Sequence, residues 1–212
     1  MQYVKPTQQP VTSAFYSAII LAGGKSSRMG QDKALLTLGG ETQLSRTVAL
    51  AKAAGCDQIL ISRNQAGFIY DIYQDCGPLS GIQAALLHVR ASSCLVLTID
   101  TPLLNVQLIN QLLQHRCACF SGSPLPAVIP NNTEVKQWLA MQLQQQQRLS
   151  VAALLQQFSA VQLPCATPAA LLNTNTPAQW QQAQSCFLQN TTSADLPQHP
   201  TIQEHSRYGQ NC

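Results

Sequence analysis

Charge is scarce in this sequence. Only 10% of residues are Asp, Glu, Lys or Arg, with 12 basic side chains against 9 acidic ones. A surplus of three positive charges scattered over 212 residues builds no basic face, so no nucleic-acid partner is expected. Long apolar runs are missing too. The longest, Ala14 to Ala22, is interrupted by Tyr16 and Ser17 and falls far short of the roughly 20 residues a bilayer requires, so no membrane span is expected. Met1 to Pro10 holds one Lys and no apolar stretch before a small-residue cleavage site, so it does not read as an export signal, and a cytoplasmic location follows. There is no Cys-x-x-Cys pair among Cys56, Cys76, Cys94, Cys117, Cys119, Cys165, Cys186 and Cys212. The closest two, Cys117 and Cys119, have no neighbouring ligand set, so reduced, buried thiols are expected rather than disulfides or a zinc site. No internal repeat is visible. His88 and His115 have no acid or nucleophile beside them and His199 and His205 fall in the tail, so none reads as catalytic, and no Ser–His–Asp arrangement enlists Ser26 or Ser27.

What is present is a globular composition, 45% hydrophobic, with Gln carrying much of the surface polarity. The length suits one domain, expected over residues 14–189, after a polar leader at 1–13 and before a patternless tail at 190–212 that reads as disordered. Ala14 to Leu21 is a strand pattern that stops at Gly23-Gly24, and Cys94 to Ile99 a stronger one that ends in Asp100-Thr101-Pro102. Gln58 to Ser62 and Phe68 to Ile72 are further strand candidates. Helices are expected over Thr42 to Ala54, with Leu44, Val48 and Ala51 inward, over Gly81 to Arg90, and over Val106 to His115. In the less regular second half, Leu125 to Ile129 and Ala160 to Leu163 read as strands, with helices at Glu134 to Gln144 and Ser150 to Phe158. Thr176 then caps a helix that opens on Pro177. Strands alternating with helices at this spacing imply an α/β fold with a doubly wound parallel sheet. Such sheets bind ligands at the C-terminal ends of their strands, where both the Gly-rich loop and Asp100 fall.

The loop reads Leu21-Ala22-Gly23-Gly24-Lys25-Ser26-Ser27-Arg28-Met29-Gly30-Gln31-Asp32-Lys33. Paired glycines after a strand let backbone N–H groups face a crevice where phosphate oxygens can sit. Lys25, Arg28 and Lys33 add positive charge around that cradle, Arg as a fork and Lys as a point charge. Glycine spacing and basic residues differ from both the Walker loop and the dinucleotide fingerprint. A basic surface turn is the plainer alternative. Asp100 suits a Mg²⁺–triphosphate site, because Mg²⁺ takes one or two carboxylates together with phosphate oxygens and water. It equally suits a turn before Thr101-Pro102.

The same segment resembles the signature of the molybdenum cofactor guanylyltransferase (MobA-type) family, part of a larger group of Rossmann-like nucleotidyltransferases. Gly77-Pro78-Leu79-Ser80-Gly81-Ile82, Ile99-Asp100-Thr101-Pro102 and Asn173-Thr174-Asn175-Thr176-Pro177 are similar to three further family motifs, in the family's order. The resemblance covers roughly Ser17 to Gln182. It implies a three-layer α/β/α fold with a mostly parallel sheet, and transfer of GMP from GTP to molybdopterin with release of pyrophosphate. Leu21, Ala22, Gly23 and Gly24 would contact the nucleotide, Lys33 its phosphates, and Asp71 (or Asp75) the nucleotide as well. Asp100 would hold Mg²⁺ with Asn173 or Asn175 nearby, and Arg28, Lys33 and Asp100 would carry the catalysis. Ser62 stands where the family has an Asn contact, with Asn64 two residues on. Ser123-Pro124 stands in place of a family His-Pro. Molybdoenzymes or their chaperones would receive the product. The other readings are a sister nucleotidyltransferase using CTP or acting on a sugar phosphate, and a non-catalytic GTP- or cofactor-binding protein.

Overall fold

The computed structural model describes residues 15–23, 32–145 and 150–194. In chain order these form β1 (Tyr16–Leu21), a 3-10 turn (Lys33–Leu35), the hairpin strands β2 (Thr37–Leu38) and β3 (Glu41–Thr42), α1 (Gln43–Ala53), β4 (Cys56–Ser62), α2 (Pro78–Leu86), β5 (Ser93–Thr98) and α3 (Val106–Leu112). Then follow β6 (Ala118–Phe120), β7 (Ser123–Pro130), α4 (Thr133–Gln144), α5 (Val151–Gln157), β8 (Val161–Leu163), a second 3-10 turn (Pro168–Leu171) and α6 (Pro177–Ala194).

Six strands make one sheet in the order β4-β1-β5-β7-β6-β8. β1 runs parallel to β4 and β5, β7 antiparallel to β5 and β6, and β8 parallel to β6. Period-two alternation divides the core into two faces. Ala18, Ile20, Leu95, Leu97, Phe120 and Val128 pack on one side with Ala51 of α1 and Leu108, Ile109 and Leu112 of α3. Ile19, Leu21, Cys94, Val96, Ala127 and Ile129 pack on the other with residues of α2, α4 and α5. A mostly parallel sheet covered on both faces is the expected three-layer α/β/α fold.

Several elements differ from the sequence expectation, each for a local reason. Phe68 to Ile72 is not a strand. Only Ile69 bridges to Ser62, because the backbone N–H of Asp71 turns back to the Asn64 side chain at 2.8 Å. α2 begins at Pro78, whose missing N–H costs nothing at a first helical position. It stops at Leu86, and α3 at Leu112, where His88 and His115 donate to carbonyls only three residues back and tighten the last turn. The buried line of α1 is Gln43, Thr47 and Ala51, with Leu44 and Val48 half-buried beside it. β6 has three residues, too few to display a period. β7 contains the expected Leu125 to Ile129 but runs from Ser123 to Pro130, with a proline near each end that propensity places outside a strand. α6 continues through Ala194, five residues past Gln189.

Candidate functional site

The C-terminal ends of β1, β4 and β5 lie side by side. The N–H of Ala22 donates to the Ser62 carbonyl at 3.0 Å, and the N–H of Ile99 to the Leu21 carbonyl at 3.4 Å. The chain leaving β1 is therefore gripped between the ends of its two parallel neighbours. Leu21 and Ala22 are buried there and Gly23 is exposed. Gly24, Lys25, Ser26, Ser27 and Arg28 lie outside the described residues.

The Asp32 carboxylate Oδ1 accepts the Ala34 N–H at 3.0 Å and caps the 3-10 turn. That turn carries Lys33, whose ammonium meets Asp100 Oδ1 at 3.1 Å and Asn175 Oδ1 at 2.8 Å. Asp100 lies two residues beyond the last residue of β5. Its carbonyl accepts the Thr174 N–H at 2.8 Å and the Thr174 hydroxyl at 3.1 Å, so the segment before α6 is latched to the end of β5. Asn175 is held in turn by a capping box. Gln179 Oε1 accepts the N–H groups of Asn175 and Thr176, and the Thr176 hydroxyl accepts the Gln179 N–H. Between the two candidates in this motif, Asn175 is the one that reaches Lys33. Thr174, missed in the sequence, is the buried residue that holds it there.

A second cluster forms beside the end of β4. The Ser62 hydroxyl donates to Asp71 Oδ1 at 3.4 Å, and Asn64 Nδ2 donates to Asp71 Oδ2 at 3.2 Å. Of the two acidic candidates, Asp71 is thus the one joined to Ser62. Asp75 sits four residues on in a left-handed conformation, with φ of 56°.

The Gly77 to Gly81 motif explains the closeness of this cluster to α2. Gly77 has φ of 71°, a conformation costly to any residue with a Cβ. A Cβ on Gly81 would lie 2.4 Å from Ser62 Oγ and 3.3 Å from Asp71 Oδ1. The Ser80 hydroxyl donates to the Tyr73 carbonyl at 2.6 Å and accepts the Tyr73 N–H at 3.2 Å, which ties α2 to the loop that carries Asp71. Ser123 opens β7, its hydroxyl donating to the Leu125 carbonyl at 2.5 Å.

Arg63 is the charged residue that sequence reasoning overlooked. It is 6% exposed, pairs with Asp32 through Nη2 and Oδ2, and lies over the Phe68 ring at 5.7 Å. Its one sequence signal is an arginine placed straight after a strand that ends at the site. The seven described cysteines are free. Burial, then the Asp57 charge, pushes the Cys56 thiol up to about 11. Burial, then neighbouring Cys119, pushes Cys117 up to about 11.

The family described as a MobA-like NTP transferase domain matches residues 18–180. The chain is 34% identical over 176 residues to a molybdenum cofactor guanylyltransferase from Xanthomonas euvesicatoria pv. vesicatoria, a match covering 79% of this chain and 93% of the relative. It is 32% identical to a probable molybdenum cofactor guanylyltransferase from Synechococcus elongatus, over 80% of this chain and 98% of the relative. Among solved structures, the molybdopterin-guanine dinucleotide biosynthesis protein A from Archaeoglobus fulgidus superposes with a TM-score of 0.67 at 21% identity, covering 82% of this chain and 99% of that one.

Proposed function

The chain belongs to the MobA-like NTP transferase family, and from that premise we propose that it transfers GMP from GTP to molybdopterin. A terminal phosphate oxygen of the pterin attacks the α-phosphorus, a new phosphoanhydride forms, the bond from the α-phosphorus to the bridging oxygen breaks, and pyrophosphate departs. The product is the guanine dinucleotide form of the cofactor. Positioning and electrostatics supply most of the acceleration in such a displacement, so no protein nucleophile is required.

The observation that carries this reading is the Lys33 ammonium held between Asp100 Oδ1 and Asn175 Oδ1. One carboxylate and one amide oxygen, drawn from the ends of two elements, already share a single cation. That hard-oxygen donor set suits Mg²⁺, which favours few protein ligands and keeps its phosphate and water partners. Asp100 and Asn175 would hold the ion, and its bound charge would offset the charge developing on the transferred phosphoryl group. Lys33 would then exchange these two oxygens for phosphate oxygens of the leaving pyrophosphate. Arg28, by its place in the sequence between Gly23 and Asp32, adds a second cation for the same group. Leu21, Ala22, Gly23 and Gly24 offer backbone to the nucleotide, since the stretch begins where the exit of β1 is gripped between the ends of β4 and β5. Asp71, braced by Ser62 and Asn64, offers a carboxylate to the adjacent N–H donors that guanine presents and cytosine does not.

Among the described residues no helix is long and apolar enough to cross a membrane. A cytoplasmic reaction, with molybdoenzymes or their chaperones taking up the product, completes the proposal. It is tested by following pyrophosphate release with purified chain, Mg²⁺ and molybdopterin. Release should require both GTP and the pterin and should fail with CTP. Tight GTP binding without pterin-dependent release would overturn it.

A further inference from the structure

We propose that Arg63 is a positioning residue of the nucleotide site, a clasp that fixes the turn bearing Lys33 against the end of β4. The inference rests on the guanylyl-transfer reading of the site, but the pair it concerns, Arg63 and Asp32, has no role in that reading.

Arg63 directly follows Ser62, the last residue of β4, and is almost fully buried. A guanidinium in such a place is costly without a partner, and its partner is Asp32. That carboxylate is used at both oxygens. Oδ1 caps the 3-10 turn through the Ala34 N–H, while Oδ2 takes the Arg63 guanidinium. The residue next to the clasped carboxylate is Lys33, whose ammonium bridges Asp100 and Asn175. The position of Lys33 is therefore set from two directions, by oxygens at its tip and by Arg63 at its base.

The other end of the clasp reaches the second cluster. The Arg63 N–H donates to the Ile69 carbonyl at 2.9 Å, and its guanidinium rests over the Phe68 ring. Ile69 lies two residues before Asp71. The preceding residue, Ser62, donates its hydroxyl to Asp71 and accepts the Ala22 N–H through its carbonyl. Two consecutive residues of β4 and its exit thus anchor the end of β1, the turn before Lys33 and the loop bearing Asp71. A guanidinium suits this junction because it can pair with a carboxylate in its plane and stack on a ring with its face, which an ammonium cannot do together.

The test uses the full chain with Arg63→Met, Arg63→Lys, Asp32→Asn and the double variant Asp32→Asn/Arg63→Met. GTP affinity with Mg²⁺ is read by calorimetry, steady-state rates by pyrophosphate release, and exchange of the Lys33–Leu36 backbone amides by hydrogen exchange. Arg63→Met should weaken GTP binding about 10-fold or more, raise KM more than it lowers kcat, and accelerate exchange of those amides. Asp32→Asn should do the same, and the double variant should be no worse than the poorer single one, the signature of two groups acting as a pair. Arg63→Lys should recover part of the affinity. Wild-type exchange at Lys33–Leu36 in Arg63→Met, or additive losses in the double variant, would overturn the clasp. If the wild-type chain bound no GTP, the functional reading would fail while the exchange measurement still decided the clasp. Should Arg63→Met not fold, Arg63→Lys and Asp32→Asn carry the same comparison.

Discussion

The two clusters at the mouth of the sheet are built in opposite ways. Lys33 reaches partners 67 and 142 residues further along the chain, whereas Asp71 is braced by residues only 9 and 7 positions before it. The first cluster exists because the strand order brings β1 beside β5 and because Thr174 latches the chain before α6 to Asp100. The second exists because one loop folds back on itself and α2 comes close at Gly81. A charged centre assembled over long range depends on the fold and contributes little to it. A locally hydrogen-bonded one is part of the packing. Substitutions in the two clusters should therefore separate activity from stability.

The largest effect is expected at Lys33. Lys33→Met removes the cation that the proposed reaction needs while keeping the stem, and kcat/KM should fall about 10²- to 10³-fold, the usual cost of one electrostatic donor to a transition state. The melting temperature should stay close to that of the wild type, since the substitution removes only an ammonium that meets two side-chain oxygens at the mouth of the sheet and leaves the backbone of its turn in place. A large drop in melting temperature would dissolve the contrast between the clusters.

Gly81→Ala tests the other side. The new methyl would press on Ser62 Oγ and Asp71 Oδ1, and overpacking of this kind costs about 1–3 kcal/mol. In a domain of this size that lowers the melting temperature by roughly 2–4 °C per kcal/mol. The GTP KM should rise as well, because the same contact sets Asp71. An unchanged melting temperature would show that α2 is free to slide. A smaller effect is expected from Asp71→Asn, which keeps the shape but loses the charge and mismatches one of its two donors. Removing one hydrogen bond to a charged group costs about 1.5–3 kcal/mol. Part of that is recovered by the remaining amide oxygen, so the GTP KM should rise about 10-fold with kcat nearly constant. A loss confined to kcat would move Asp71 from the nucleotide to the reacting centre.

Much of this was legible in the sequence. Short apolar runs over Ala14 to Leu21 and Cys94 to Ile99 expose two buried strands, and their abrupt ends mark the site. Thr176 and Pro177 announce α6. The resemblance supplied Lys33, Asp100 and the Asn173–Asn175 pair, but only the capping box with Gln179 turns Asn175 rather than Asn173 toward Lys33. The roles of Arg63 and Thr174 were invisible, because they are contacts with Asp32 and Asp100 across 31 and 74 residues. No local pattern encodes such pairs. β6 was hidden for a different reason, being only three residues long and held by its neighbours rather than by propensity, whereas the core of β7 was read as Leu125 to Ile129.

The smallest effect separates the site from the far end of the sheet. Cys56 opens β4 at the end opposite Ser62 and Arg63, and its thiol is pushed from an ordinary value of 9.0 up to about 11, first by burial and then by Asp57. The folded chain thus holds this proton more tightly than the unfolded chain. The associated stability is complete below about pH 9 and is lost as pH rises toward 11. At pH 9 the unfolded thiol is half ionised, so the loss is at most about 0.4 kcal/mol, and less once solvent screening is allowed for. Denaturant midpoints at pH 7.5 and pH 9 should therefore converge slightly more in Cys56→Ala than in the wild type. The kcat profile over the same range should carry no inflection that this substitution removes. Were such an inflection found, the far end of β4 would be coupled to the cleft, and the independence of the two clusters from the rest of the sheet would fall with it.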